Sequence, residues 1–100
     1  MQNKDHIKNI NKIINIQEQE LLYEKYKTLW RAVIMQAIID LKNNGSKNED
    51  RKNKIKAFLW INPNKKDFKT VCERAELNPD FVYKYKLRII NNKNFKMKFI

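Results

Sequence analysis

The sequence predicts an all-α fold of about four helices, two of them joined by a very short turn in the C-terminal half. Three observations carry this. The 100 residues include one glycine and two prolines, too few punctuating residues for the many turns of a small sheet protein. Hydrophobic residues make up 42% and aromatics 11%, enough for one modest core in one domain but not for two. The apolar residues recur at steps of three and four, the period of a helix face.

Residues 1–16 are polar, with Ile7, Ile10 and Ile14 at helical spacing among many asparagines, which are poor helix formers. They read as a weakly structured arm. The clearest helix covers 17–42. Leu22, Tyr26, Leu29, Trp30, Val33, Ala37, Ile38 and Leu41 form one wide stripe, extended by Ile34 and Ile39. Glu20, Glu24, Lys25, Arg31 and Asp40 fall largely outside it. Gly45, after Asn43 and Asn44, is a helix stop. The stripe is wide for a chain of this length, so core packing is its first use and a homodimer contact its second.

A second helix is expected from Ser46, with Ser46 and Glu49 spaced as a capping box. It turns Ile55, Phe58 and Leu59 inward and Arg51, Lys52, Lys54 and Lys56 elsewhere, and it ends at Trp60-Ile61-Asn62-Pro63. A third helix follows Asn64, a candidate cap, with Asp67 favourably placed in its first turn. A fourth begins at Asn78-Pro79-Asp80, where Asn caps and Pro fits the first helical position, and runs to about Ile90. Residues 91–100 form a basic tail with alternating apolar residues, either disordered or a short strand.

The third and fourth helices are joined by Glu76-Leu77-Asn78 alone. A helix-turn-helix needs small or apolar residues where its helices cross. Val71 and Cys72, then the small Ala75, then Leu77 in the turn, then Val82 and Tyr85 supply them. Residues 67–90 thereby resemble the helix-turn-helix of bacterial repressors such as the lac repressor family. In that family a Val-Ala pair, a small Ala and Gly-Val-Ser precede the recognition helix. The matching positions are Val71-Cys72, Ala75 and Glu76-Leu77-Asn78. One departure is Glu76, where the pattern prefers Gly at a position that often has positive φ. The resemblance covers about twenty residues, and it implies a supersecondary unit. A Trp-bearing helix followed by this motif also looks like small uncharacterised bacterial and phage-associated proteins. The fold class is thus all-α, with a helical domain at 17–90 carrying a C-terminal helix-turn-helix at 67–90.

Charge supplies the partner. The net charge is +11. Residues 1–20 sum to zero, 21–50 to +1 and 51–100 to +10. A basic half beside a neutral one suits a polyanion. A plainer reading is that Lys, Asn and Ile, 45 of the 100 residues, reflect A/T-rich codons. That accounts for the Lys count better than for its uneven distribution, because Asn and Ile are spread along the whole chain.

For a DNA-binding unit of this type, the second helix enters the major groove. Its presented residues are then Asn78, Pro79, Tyr83, Lys84, Leu87 and Arg88. Asn78, Tyr83, Lys84 and Arg88 are the candidate base or phosphate contacts, Arg88 being able to pair bidentately with guanine. Lys65, Lys66 and Lys69 at the start of the preceding helix are candidate phosphate contacts, as are Lys86, Lys93, Lys96 and Lys98. Double-stranded DNA is the expected partner and transcription regulation the expected setting. The alternatives are a protein-interaction or oligomerisation module built on Tyr26 and Trp30, and an RNA-binding accessory protein.

No enzyme, cofactor or metal site is expected. The single His6 lies in the arm beside Asp5. Cys72 occupies a core position and reads as an inert buried thiol. With one glycine there is no phosphate-cradling loop, and the acidic residues are scattered. No run of 18 apolar residues is present to cross a membrane. The N-terminus lacks the apolar stretch of a secretory signal, and the protein reads as cytoplasmic.

Overall fold

A computed structural model describes the backbone over residues 3–97 and the side chains over 15–97. It contains four helices: α1 (Asn3–Lys42), α2 (Asn48–Trp60), α3 (Lys66–Arg74) and α4 (Pro79–Ile90). The fold is all-α, with no strand among the described residues. The molecule is long, 73 × 26 × 21 Å, because α1 at 1.5 Å per residue outruns the domain packed against its C-terminal part. α1 has no break near residue 16. His6, Ile7, Ile10 and Ile14 of the predicted arm lie outside the described side chains, and Lys98 outside the described residues.

The core forms where α2, α3 and α4 meet the second half of α1. Ile34 and Leu41 of α1, Ala57 and Ile61 at the end of α2, Phe68, Val71, Cys72 and Ala75 from α3, and Val82 and Ile89 from α4 are buried together. Phe68, fully buried, meets Trp60 edge to face at 5.2 Å. The Trp60 indole N–H donates to Asp67 at 2.8 Å, tying the end of α2 to the start of α3. Only part of the expected α1 stripe enters this core. Leu41 is buried and Trp30, Ala37 and Ile38 pack against it, whereas Leu22, Tyr26, Leu29 and Val33 stay exposed.

Two predicted caps are corrected. α2 starts at Asn48, behind Lys47, which makes no side-chain cap bond. With Lys47 rather than Ser46 at the N-cap position the Ser46–Glu49 box does not form, and the Ser46 carbonyl accepts from Arg51 at 2.7 Å. α3 starts at Lys66 behind Lys65, also without a side-chain cap, because Asn62-Pro63-Asn64-Lys65 closes a turn through the Lys65 N–H to the Asn62 carbonyl at 2.9 Å. Gly45 does not supply backbone freedom: its φ is not positive, and a Cβ there would meet only the ends of the Asn43 and Asp50 side chains, which can turn aside.

Lys54 was expected to project away from the core and does not. It is buried, hydrogen-bonded to Asn44 Oδ1, with its ammonium 4.5 Å from the Phe95 ring centroid. Burial lowers its pKa. Residues 91–97 fold back without forming a strand, and Phe95 and Met97 pack on the core. The Asn94 carbonyl accepts from Asn44 Nδ2 at 2.8 Å.

Candidate nucleic-acid interface

α3 ends as a Schellman motif. The Leu77 N–H bonds the Cys72 carbonyl at 2.9 Å and the Glu76 N–H bonds the Glu73 carbonyl at 3.1 Å. The motif requires a left-handed residue at its corner. That residue is Glu76, with φ 55°, at the position where the repressor pattern prefers Gly. α1 grips this corner. Tyr23 donates its hydroxyl proton to the Glu76 carboxylate, Lys27 sits 3.4 Å from the same carboxylate, and Arg31 Nε donates to the Ala75 carbonyl at 2.8 Å. Tyr23, Lys27 and Arg31 are four residues apart, so they project from one face of the helix. The hydrogen bond from Tyr23, aided by Lys27 and Arg31, lowers the Glu76 pKa, and the same bond raises that of Tyr23.

α4 opens as its sequence predicts. Asn78 Oδ1 accepts from the Asp80 N–H at 2.9 Å and Pro79 takes the first helical position. Val71, Cys72, Ala75 and Val82 are buried at the crossing and Leu77 packs beside them. Burial holds the Cys72 thiol above its ordinary pKa. Tyr85 is the exception in this set: it is 36% exposed, and its hydroxyl accepts from Lys42 at 3.0 Å. The inward row of α4 is Val82, Lys86 and Ile89.

Lys86 therefore has a different place from the one expected. It is buried, and its ammonium donates to the Phe58 carbonyl at 2.6 Å and the Ile61 carbonyl at 2.9 Å. The ammonium also lies 4.3 Å from the Phe58 ring centroid. It caps the C-terminus of α2, where orphan carbonyls and the helix dipole favour a cation. Burial, reinforced by the charge of Lys65, lowers its pKa. A lysine spent this way is not free to meet a phosphate.

The other candidates are distributed as follows. Lys65, Lys66 and Lys69 are exposed at the start of α3, and Lys84 and Arg88 are exposed on α4. Asn78 is exposed with its oxygen committed to the cap. Tyr83 is half-buried on the flank of α4, 5.5 Å from the Lys86 ammonium. One residue was missed. Phe81, in the first turn of α4, is 67% exposed and follows the helical spacing of Lys84 and Arg88. The signal was legible: with Val82 inward, the residue before it must point away. Asp80 is exposed in the same turn.

Among the described residues no helix is long and apolar enough to cross a membrane, and no three His, Cys, Asp or Glu side chains group as a metal site. The chain matches no family model, no curated protein and no solved structure.

Proposed function

We propose that the protein binds double-stranded DNA without catalysing a reaction, inserting α4 into the major groove as a repressor-type helix-turn-helix does, and that it acts as a transcriptional regulator. The observation that carries this is the outward face of α4. A helix whose opposite side is locked into the core exposes Phe81, Lys84 and Arg88 on one stripe, beside a short turn and a preceding helix that begins with three exposed lysines. Lys84 and Arg88 reach phosphates or base edges, and Phe81 supplies an apolar contact of the kind that recognises a thymine methyl. Lys65, Lys66 and Lys69 hold the flanking backbone. The +10 charge of residues 51–100 steers the encounter.

Fluorescence anisotropy with a labelled duplex over a salt series tests this. Log affinity is expected to fall linearly with log salt. Replacing Lys65, Lys66 and Lys69 by Gln lowers the slope by roughly 0.9 for each phosphate no longer neutralised. Absence of binding at low salt, or an unchanged slope in the triple variant, refutes the proposal.

A further inference from the structure

α1 keeps an apolar line uncovered. Leu22, Tyr26, Leu29 and Val33 follow heptad spacing and stand 50%, 57%, 60% and 43% exposed. The same line continues through Gln19 and Asn15 toward the N-terminus, and through Gln36 and Asp40 toward the C-terminus. At Val33 it enters a groove of about 600 Å³ between α1 and α2, lined by Ala37, Leu59 and Trp60 together with Lys56 and Lys65.

We propose that a second copy of this chain covers this face. The two α1 helices pair antiparallel about a two-fold axis, and each lies in the α1–α2 groove of the other. Three observations select this occupant. The first is spacing. From Asn15 to Asp40 the steps are 4-3-4-3-4-3-4, the same from either end. Antiparallel pairing sets Leu22 against the second copy's Val33 and Tyr26 against its Leu29. It also sets Gln19 against the second copy's Gln36 and Asn15 against its Asp40, so apolar meets apolar and polar meets polar. A two-fold contact requires this self-complementarity. Parallel pairing instead opposes two Asp40 carboxylates and brings two basic domains to one end.

The second observation is charge. Residues 15–42 carry Glu18, Glu20, Glu24 and Asp40 against Lys25, Lys27, Arg31 and Lys42, a sum of zero, while residues 51–100 carry +10. Two copies of a +11 chain repel elsewhere, and this face is where they can meet. The segment delivered into the groove, residues 15–24, holds three carboxylates and no cation, which complements a groove whose charged lining is Lys56 and Lys65 against the single carboxylate of Asp40. The third is extent. The four apolar residues alone fall short of the roughly 1,200 Å² that a stable interface buries. The overlap from 15 to 40, about 39 Å of helix, together with the α2 wall, extends the contact toward that range. The proposal is independent of the nucleic-acid reading, since it uses α1 and α2 rather than α4.

Sedimentation equilibrium of the full chain is expected to give twice the 12.2 kDa chain mass. Leu22→Glu with Leu29→Glu alters two side chains already exposed in the single chain. It keeps the helical circular dichroism and weakens the dimer by about 100-fold or more. In a Gln19→Cys plus Gln36→Cys variant, oxidation links residue 19 of one copy to residue 36 of the other. A monomer at about 100 μM, a dimer indifferent to the two glutamates, or links joining 19 to 19 and 36 to 36 overturns the proposal.

Discussion

Lys86→Met separates two opposing effects at the joint that sets α4 on α2. Met keeps the buried stem and approximate volume of Lys86 but removes both hydrogen bonds, to the Phe58 and Ile61 carbonyls. A buried acceptor left without a donor costs about 1–3 kcal/mol. The Phe58 bond is only partly buried, so water replaces the donor there, and the penalty falls mainly on Ile61, whose bond is buried. Against it stands relief, because the lowered Lys86 pKa means that the fold disfavours the charged form. The net loss is expected to be about 1–2 kcal/mol, well below the roughly 3–5 kcal/mol of breaking a buried ion pair. For a domain of this size that is a fall in Tm of about 4–8 °C per kcal/mol.

The pH dependence has a definite sign. With the folded pKa below the ordinary value of 10.5, the unfolded chain binds more protons between the two values, so stability rises with pH across that window. Lys86→Met removes this contribution and leaves that of Lys54, which is lowered by the same cause. Urea unfolding followed by tryptophan fluorescence at about pH 7 and about pH 9.5 measures both quantities. A variant more stable than the natural protein at neutral pH refutes the account of the α2 cap. So does a natural protein whose advantage over the variant shrinks as pH rises.

Two other perturbations follow from the same packing. Phe68→Ala removes a fully buried ring and its edge contact with Trp60. It is expected to cost about 3–5 kcal/mol, a large share of a total near 5–15 kcal/mol; a loss below 1 kcal/mol in the same urea assay contradicts Phe68 as the anchor of α3. At Glu76, Gly relieves the left-handed backbone while Ala keeps it and loses the contacts to Tyr23 and Lys27, so thermal denaturation should rank Gly above Ala. The Glu76 pKa is depressed. The contribution of its carboxylate is therefore present above the ordinary carboxylate pKa of about 4.3 and lost as pH falls through the lowered value. The reverse ranking, or an acid limb unchanged in Glu76→Gln, contradicts the clamp.

The α3–α4 unit was the most legible part of the sequence because each of its signals is local. Pro79 and Asn78 fix the start of α4, and a short turn demands small and apolar residues at Val71, Cys72, Ala75 and Val82. Where the sequence misled, a tertiary partner decided. Lys54 read as an outward-pointing charge and Lys86 as a phosphate contact, but one finds Asn44 and Phe95 and the other the carbonyls that end α2. The Ser46 and Asn64 caps were plausible one at a time, but α2 starts one residue later, behind Lys47, and α3 starts behind the Asn62–Lys65 turn. Tyr85 satisfied the spacing rule for burial, yet its hydroxyl and ring meet Lys42 at the edge. The α1 stripe is amphipathic as its spacing predicts, but periodicity does not say which stretch has a neighbour. Phe81 has no polar group to mark it as a phosphate or base contact, and only its place before the inward Val82 gives it away.

The central claim is that α4 reads duplex DNA with its outward face. Binding of the natural protein and of Lys84→Glu plus Arg88→Glu to one labelled random duplex at low salt tests it most directly, with circular dichroism to confirm that both are folded. Both side chains are exposed, so the substitutions leave the core untouched. The account predicts tight, salt-sensitive binding by the natural protein and a loss of about 10-fold or more in the variant. Equal affinity in the two proteins, or no binding by either, contradicts it and makes the basic half a solvated surface.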